Sequence, residues 1–526
     1  MLSARVPGLR NQPIIGATLL VLGLWAAYET GGRIATGDMK TIAYATLGFA
    51  GCAVAVTILR NWRAGFYLFF TWLLFEDLAR KYMGNNMALF FGKDVLALLT
   101  YASLFAAIRA GREKSFRPQF LLYLAVFLWI ALIQIFNPNT PSVLYGILGF
   151  KIYFFYIPMM YVGYALIRSD EDLRKFLVVN AVLAGVISTL GIIQAVIGHS
   201  FLNPPVLAPE LRELGELDKY SPLTNQILSL PSSVFVSSGR FASFLIIAAI
   251  LMIGSSGYLL LYTRRSRKLV FASTAIIGGA ILFSGSRGAV VYGAASALIM
   301  PVGFLWGAPW KWRQAHRLVK SIRRTLVGAT LGLAAILLLF PTEIGSRLAF
   351  YQETLSPSST AYEVSNRTWD YPIRNLRLAF TNPNWIWGNG TGVASLGTQY
   401  VAKLLHERRP EMWVEEGYGQ LIVEMGIVAP FLWILWTAAL LYYMWRVLLR
   451  LRQTRFFPIA FAIFWYSFLL LYPFTYGGLA PYQNYVGNAY FWLLVGIFFS
   501  LPEVYAEKPT LSLAAHGKGQ RGGLQF

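Results

Sequence analysis

One arginine, Arg287, lies in the turn SGSRGA (284–289) between two long apolar segments. Its neighbours are Ser, Gly and Ala, so a ligand could approach the backbone. The amide groups at the start of the next helix would also favour an anion. A guanidinium can bind two phosphate oxygens at once. The turn therefore suggests either a diphosphate site or an arginine that reaches lipid headgroups.

A second basic pattern follows, in which Arg367, Arg374 and Arg377 recur at i, i+7 and i+10. Pro372 suits the first turn of a helix there. The apolar residues follow the same repeat on another face: Trp369, Ile373, Leu376 and Phe380. This spacing predicts an amphipathic helix at the bilayer surface, either structural or presenting its basic face to a charged ligand. Further along, Gly388, Gly390 and Gly392 predict a flexible turn.

Two adjacent carboxylates, Glu415 and Glu416, stand where a later apolar segment begins. Paired carboxylates beside an apolar surface can have one raised pKa, which suits a general base. The alternative is that they complement the helix dipole. Glu424, about two turns further, is either a functional group inside the membrane or a partner for an arginine. His406 is a fallback base that no spacing selects.

The composition places these residues in a membrane protein. The chain has 526 residues, of which 56% are hydrophobic and 13% charged, and its mean hydropathy is +0.53. Apolar runs long enough to cross a bilayer recur from end to end, without the alternation of a transmembrane β-barrel. Backbone groups cannot remain unpaired in lipid, so helices are the expected spanning element.

We expect an all-α polytopic membrane protein with about 12–14 transmembrane helices, forming a single integral membrane domain over residues 1–526. A long outer loop, 342–418, is expected to be helical, and a Gly-rich tail, 503–526, to be flexible. The first span has no small-residue cleavage site after it and is interpreted as a retained helix. The expected spans lie near residues 13–30, 41–59, 65–79, 93–109, 119–136, 145–167, 174–198, 241–262, 268–284, 288–307, 325–341, 419–445, 457–475 and 487–502.

The net charge of +21 is explained by topology. If the N-terminus is cytoplasmic and the spans alternate, the excess of Lys and Arg falls on the cytoplasmic loops, which is the positive-inside pattern. Both termini are then cytoplasmic, and Arg287 faces outward. A nucleic-acid surface would not be divided among alternate loops, so we expect contact with membrane lipids and not with nucleic acid.

Metal and disulfide chemistry have little support. The single cysteine, Cys52, cannot form an intrachain disulfide, and the four histidines lack the spacing of metal ligands. We therefore expect no metal site.

Taken in order, three stretches resemble the O-antigen ligase/O-antigen polymerase family of bacterial membrane glycosyltransferases. The resemblance covers about residues 230–445. SGSRGA (284–289) is similar to the family's Ser-Arg-Gly turn, and the segment 366–392 to its Arg-x-x-x-Trp…Pro-x-x-Gly-x-Gly stretch, with Trp369 displaced. VEEGYGQLIVEMGIVA (414–429) is similar to its entry into a late span.

The resemblance implies a bundle of the glycosyltransferase C type in the bacterial inner membrane, with a periplasmic site. The implied donor is a glycan on undecaprenyl diphosphate, and the acceptor is another glycan or lipid A-core. No metal, cofactor or nucleotide sugar is implied, and a chain-length regulator is a possible partner. Arg287 matches a donor-binding arginine of the family, and Arg240, in SSGRFASF, corresponds to another. Arg367, Arg374 and Arg377 would assist.

One departure affects the expected reaction. Ligases commonly have His at the position of Glu415, and Asn is usual at the position of Glu416. A carboxylate can still deprotonate an acceptor hydroxyl, so Glu415 or Glu416 is the expected base, and the loss of His favours a polymerase over a ligase. A transporter of lipid-linked sugars and a peptidoglycan-type polymerase remain alternatives. A transporter is disfavoured because the polar groups cluster at the outer surface and no repeat is evident.

Overall fold

The structure, a computed structural model, describes residues 51–207, 211, 218–262, 267–310, 316, 341–408, 410, 412 and 414–506. In this part of the chain, eight helices are long and apolar enough to cross a membrane. The only sheet in the described ranges is a two-stranded antiparallel hairpin, in which Lys219 pairs with Leu228. The described part of the chain is therefore predominantly helical, as in a multi-pass membrane protein.

The elements of the first half run up to the turn at Arg287. They are α1 (Gly51–Arg60), α2 (Trp62–Tyr82), α3 (Met87–Arg109), α4 (Leu121–Ile133), α5 (Val143–Phe154), α6 (Met159–Leu166), α7 (Asp170–Ile197), β1 (Asp218–Tyr220), β2 (Ile227–Ser229), α8 (Ser238–Tyr262) and α9 (Arg267–Phe283). Side-chain caps start several of these helices. Asn61 accepts from the amides of Arg63 and Ala64, and Ser169 from that of Asp172.

The second half contains the rest of the bundle and the helices of the long loop. These are α10 (Arg287–Gly307), α11 (Pro341–Leu355), α12 (Tyr371–Thr381), α13 (Thr398–Leu405), α14 (Gly417–Met425), α15 (Val428–Arg450), α16 (Phe457–Leu469), α17 (Ala480–Gln483) and α18 (Tyr485–Ala506). Wide π turns precede α12 and extend α16, at Asn366–Asp370 and Leu470–Phe474.

The most buried spanning helices in the described part of the chain are α8, with 83% of its apolar stretch inside the protein, and α18, with 72%. Its Trp492 stacks on Trp436 of α15 with ring centroids 6.0 Å apart, and Trp433 packs edge-on against Trp436 at 5.1 Å. Large aromatic rings bury much area and prefer such offset or edge-on geometry. The core therefore fixes α15 and α18 as the frame on which the outer turns rest.

Most of the expected spans correspond to observed helices where the structure describes them. The 13–30 span, residues 41–50 and residues 325–340 lie outside the described residues, as does the tail from 507. The helix at 119–136 is short, since α4 ends at Ile133 and a 3₁₀ turn follows. The first residues of the expected tail, 503–506, are helical because α18 continues to Ala506.

The expected single span 419–445 was wrong, because the chain breaks between α14 and α15. Gly426 has a φ of +83°, and a Cβ there would lie 2.3 Å from the carbonyl oxygen of Ile386. Only glycine permits this combination of left-handed backbone and close packing. The break separates the short α14, which carries the glutamates, from the spanning α15.

The helix expected around Pro372 is confirmed as α12, with the proline in its first turn. Its apolar face differs from the expected one. The buried positions are Pro372, Asn375 and Ala379, whereas Trp369 lies in the preceding π turn and is 65% exposed. The wide turn moves Trp369 out of helical register with the residues that follow.

Candidate functional site

Four charged residues are buried in the last turns of α2, within the sequence FEDLARK. Arg80 lies 3.3 Å from Glu76 and 3.2 Å from Asp77, at the helical spacings that place side chains on one face. The ammonium group of Lys81 donates to Ser232 Oγ and to the Ser233 carbonyl. Charges in a membrane helix are costly unless they have such partners, so this end of α2 is polar inside the bundle.

Cations from three other helices meet these carboxylates and one more on α3. The pairs are Lys93–Glu76 at 3.2 Å, Lys151–Asp94 at 2.5 Å and Arg240–Asp77 at 2.8 Å. We call the eight residues the charged cluster: Glu76, Asp77, Arg80, Lys81, Lys93, Asp94, Lys151 and Arg240. It contains five cations and three carboxylates and therefore has a formal charge of +2.

The charged cluster lies at one end of the bundle, where α2 ends and where α3, α5, α8 and α10 begin. The charge pattern of the loops predicts that this end faces outward, and we call it the predicted outer end. The long loop and the turn around α17 lie there too, because Leu396 and Gln483 join the cluster in lining one cavity.

This cavity has a volume of about 60 Å³. Its charged lining residues are Lys93, Lys151 and Arg240, and no carboxylate lines it. The remaining lining residues are apolar or uncharged: Phe90, Leu148, Ile152, Tyr156, Leu396, Gly397, Tyr400, Gln483 and Tyr485. We call it the basic cavity. Three cations facing one space repel each other, and an anion held there would relieve the repulsion.

Aromatic rings hold the cations of the basic cavity in place. Lys93 Nζ lies 3.5 Å from the centroid of the Phe90 ring, and Lys151 Nζ lies 4.6 Å from the same centroid. The Tyr485 ring faces Lys93 at 4.5 Å and Arg240 at 4.9 Å. These cation–π contacts restrict the side chains, while each cation also pairs with a carboxylate that lies outside the cavity lining.

The Gly-rich stretch beside the cavity is a tightly packed turn and not a flexible one. Gly392 is buried with a φ of +88°, and a Cβ there would lie 2.2 Å from the Tyr145 carbonyl oxygen. The turn is also tied down by Gly390, whose amide donates to the Glu424 carbonyl at 2.9 Å. This packing positions Leu396 and Gly397 at the cavity wall.

The buried carboxylate of Glu424 supports this region without an arginine. It accepts a hydrogen bond from the Tyr153 hydroxyl at 3.1 Å and another from Gln420 at 3.2 Å. Gln483 in turn donates to the Tyr153 hydroxyl at 2.9 Å and accepts from the Leu396 amide at 3.0 Å. Of the two expectations for Glu424, the arginine partner was wrong, since the contacts of its carboxylate are neutral.

Arg287 begins α10, after the cap residue Ser286, whose side chain accepts from the Ala289 amide. Its guanidinium forms an ion pair with Glu363 of the long loop and lies 5.4 Å from the centroid of the Phe350 ring. The side chain is 18% exposed and does not line the basic cavity. The expected anion partner at Arg287 is therefore, in this state, a carboxylate of the protein itself.

Glu363 is the start of a line of alternating charges along the long loop. Arg367 Nε lies 3.8 Å from Glu363, and Arg367 Nη1 lies 3.9 Å from Glu415. Arg367 and Arg374 both face the ring of Tyr371, at 4.9 and 5.4 Å. Arg287 and Glu415, far apart in sequence, are thus connected through Glu363 and Arg367.

The two adjacent glutamates have different roles. Glu416 is 1% exposed and caps α14, since its carboxylate accepts from the amides of Tyr418 and Gly419. Burial raises the pKa of Glu416 to about 7. Glu415 is 40% exposed and faces Arg367. A base must reach its substrate, so Glu415 is the accessible candidate, and Glu416 fits the structural alternative.

The sequence-predicted residues fall into two groups. Arg240 lines the basic cavity, whereas Arg287, Arg367 and Glu415 form the line through Glu363. Of the others, Arg374 contacts the Tyr371 ring, which Arg367 of this line also contacts. Arg377 is exposed on α12. His406 is exposed where α13 ends, with a φ of +55°. Among the described residues, no group of three or more metal-ligating side chains occurs.

The sequence reasoning missed Lys93, Lys151 and Glu363. Lys151 is a single charge inside an otherwise apolar helix, and Lys93 is followed directly by Asp94 in another. An ionisable residue at such a position is a functional candidate by default. That signal was present in the sequence. Glu363 had no comparable signal, because only the fold brings it to Arg287.

A larger cavity, of about 250 Å³, lies at the opposite end of the bundle, between the ends of α3, α6 and α18. Its lining contains both signs of charge, and these pair with each other, as in Lys114–Glu503 at 3.2 Å and Arg168–Glu113. The charged residues that line the smaller basic cavity are all cations, with no carboxylate among them, so it is the better candidate for an anion.

No protein-family model and no curated protein sequence matches the chain. The function must therefore be inferred from the geometry of the site and the order of the motifs.

Proposed function

We propose that the protein is a membrane glycosyltransferase that takes a glycan from a polyprenyl diphosphate, undecaprenyl diphosphate in a bacterial inner membrane, and transfers it to an acceptor sugar hydroxyl. The basic cavity carries this proposal. Lys93, Lys151 and Arg240 face it together, at the end of an apolar bundle where a lipid-linked anion would arrive. A charged group at membrane depth is by default a candidate for a functional site.

The charged cluster as a whole has a formal charge of +2, and the diphosphate of a lipid-linked glycan carries two negative charges. Arg80 and Lys81 contribute to that charge from outside the cavity lining. The cavity has a volume of about 60 Å³. In this proposal it holds the diphosphate, and the glycan and the polyprenyl chain extend outside it.

Arg287 is the second cation assigned to the donor. One short segment connects the two arginines: Leu228 and Leu230 pack against Gly285, beside Arg287, and the Val236 amide donates to Asp77, the partner of Arg240. In this proposal the donor uses both arginines, Arg240 in the basic cavity and Arg287 outside its lining. Arginine is suited to both because its fork binds two oxygens.

Glu415 is the proposed base. The acceptor hydroxyl oxygen forms a bond to the anomeric carbon while the bond from that carbon to the diphosphate breaks. The bonding electrons leave with the diphosphate, which the cations stabilise, and the hydroxyl proton passes to Glu415. Every charge in this scheme comes from side chains of the protein, so the scheme uses no metal.

The motifs that resemble the family support the same transferase function and also indicate its product. Their order along 284–429 resembles the O-antigen ligase/O-antigen polymerase family, which implies a bundle of the glycosyltransferase C type and a periplasmic site. A carboxylate in place of the ligase histidine favours the polymerase, in which the acceptor is a second glycan and a chain-length regulator could take part. Transfer to lipid A-core is the alternative acceptor reaction.

The decisive experiment uses the purified full-length protein in detergent, a lipid-linked glycan as donor and an added metal chelator. We expect elongated glycan from the wild type and none from Arg240→Ala, with both proteins monodisperse by size exclusion. Movement of intact lipid-linked glycan across proteoliposomes, without any change in glycan length, would instead identify a transporter. Equal product from the two proteins would refute the assignment of Arg240.

A further inference from the structure

The ion pair between Arg287 and Glu363 suggests how anions are kept from this site. Glu363 is 31% exposed and Arg287 is 18% exposed, so the pair lies at the surface of the site and not in the core. Glu363 also lies 3.8 Å from Arg367, within the same turn of chain. Glu363 is therefore held between two guanidinium groups, in the way a bound phosphate would be.

The segment that carries Glu363 is fixed to the loop helices and not to the bundle. The Glu363 amide donates to the Thr354 carbonyl at the end of α11, and its carbonyl accepts from the Arg367 amide at the start of the π turn before α12. The three residues before it, 360–362, are exposed or half-buried. A small movement of this segment would withdraw the carboxylate without disturbing the buried core.

We propose that Glu363 is an internal carboxylate that occupies Arg287 until the diphosphate of the donor displaces it. This inference rests on the proposed function, because it needs the diphosphate to use Arg287. A ligand gains affinity at an arginine only by the difference between its own contacts and those of the group it replaces. Glu363 thus weakens the binding of every anion at Arg287. An anion that also binds in the basic cavity is best able to displace Glu363.

The displacement would also reach the proposed base. Arg367 is shared between Glu363 and Glu415, at 3.8 and 3.9 Å. When Glu363 leaves Arg287, its remaining attraction to Arg367 draws that guanidinium away from Glu415. The Glu415 carboxylate then loses a competing cation and can accept the proton of the acceptor hydroxyl. Donor binding and base availability are coupled in this way.

The test measures the affinity of farnesyl diphosphate for the full-length protein in detergent, at low ionic strength. Glu363→Gln should bind this probe roughly two- to fivefold more tightly than the wild type, the range that corresponds to a surface ion pair. The difference should shrink at high salt, because the pair is partly exposed. Glu171→Gln is the matched control, since Glu171 pairs with Arg174 at the opposite end of the bundle and should bind like the wild type.

A double-mutant cycle separates competition from a general charge effect. In an Arg287→Ala background, Glu363→Gln should leave the affinity unchanged, because the competitor has lost its site. If Glu363→Gln is not monodisperse, Glu363→Asp serves instead. Its shorter carboxylate should give a smaller gain of the same sign.

The test distinguishes a failure of the proposed competition by Glu363 from a failure of the proposed donor site. If the affinity of farnesyl diphosphate falls in Arg287→Ala and Arg240→Ala but is equal in the wild type and Glu363→Gln, the competition is refuted and the donor site stands. Equal gains from Glu363→Gln in the presence and absence of Arg287 would refute it too. If neither arginine variant changes the affinity, the donor site itself is wrong, and the inference is overturned with it.

Discussion

Arg240 Nη1 donates to both carboxylate oxygens of Asp77, at 3.1 and 2.8 Å. The contact joins the first turn of α8 to the last turns of α2, and the same guanidinium donates to the Tyr485 hydroxyl at 3.3 Å. One residue thus serves the fold and lines the basic cavity. Its two roles have different experimental signatures.

Removal of Arg240 should destabilise the protein. Arg240→Ala leaves Asp77, which is fully buried, without its main cation, and breaking a buried pair in this way costs about 3–5 kcal/mol. We expect a lower thermal unfolding midpoint in detergent. Arg174→Ala is the control. Its partner Glu171 is 75% exposed, so the loss should be about 1 kcal/mol or less.

The double variant Asp77→Asn with Arg240→Gln separates the role of Arg240 in stability from its role in the basic cavity. It removes both charges together, so much of the lost stability should return. Glycan elongation should remain absent, since the cavity has lost one of its cations. Recovery of activity along with stability would show that Arg240 acts only on the fold.

Lys151→Met should weaken donor binding and, because it leaves the buried Asp94 without its paired cation, should also lower the unfolding midpoint. The side chain is 22% exposed and lines the basic cavity, and a hydrogen bond to a charged group is worth about 1.5–3 kcal/mol. We therefore expect the dissociation constant of farnesyl diphosphate to rise by about tenfold or more. Lys175→Met is the matched control, because Lys175 lies over the Tyr67 ring, away from the cavity. Equal affinities for the two variants would remove Lys151 from the site.

Glu415→Gln should separate chemistry from binding. The amide cannot take a proton from the acceptor, so elongation should slow by about 10²- to 10⁴-fold. Donor affinity should change much less than the rate, because Glu415 does not line the basic cavity and meets the donor site only through Arg367 and Glu363. A rate like that of the wild type would shift the search for the base to His406, which is exposed at the end of α13.

Glu416 should make stability depend on pH. Its folded-state pKa is about 7, above the ordinary carboxyl value of 4.5, because burial penalises the charged form. The folded state then binds more protons than the unfolded state between these two values, so stability should fall as the pH rises from about 4.5 to about 7. The Glu416 contribution to that fall is at most about 3 kcal/mol.

Thermal midpoints of the wild type and Glu416→Gln, measured across this range of pH, test the prediction. The difference between the two proteins should shift steadily in favour of the variant as the pH rises, and should level off above about 7. A constant difference at every pH would mean that Glu416 titrates normally.

The helical architecture was predictable because apolar runs of spanning length determine it, and the described helices follow the expected spans. The break at Gly426 was not, since it depends on the close approach of the Ile386 carbonyl from elsewhere in the chain. Likewise Trp369 fits the helical repeat of the sequence, and no residue pattern there predicts the π turn that displaces it.

The site was predictable only in part. Arg240, Arg287 and Glu415 stand out by their neighbours along the chain. Which partner each one meets is decided by tertiary packing: Asp77 for Arg240, and Glu363 for Arg287. The Gly-rich turn shows the same limit, because its composition suggested flexibility and its packing makes it rigid.

Gly392→Ala should disrupt the turn that forms the cavity wall. The new Cβ would meet the Tyr145 carbonyl oxygen at 2.2 Å in a left-handed backbone, so both sterics and strain oppose it. We expect loss of elongation and a lower unfolding midpoint. Gly278→Ala in α9 is the control, since a Cβ there has nothing within 4 Å. If the two variants are equally stable and active, the turn has more room than the structure shows.

The central claim is that Arg240, Lys93 and Lys151 hold a diphosphate. The most direct measurement is the structure of the protein with undecaprenyl diphosphate bound, determined by electron cryomicroscopy in a lipid nanodisc. We predict phosphate density in the basic cavity, within hydrogen-bonding distance of at least two of these three cations. A well-ordered diphosphate bound elsewhere, with the cavity empty, would contradict the account.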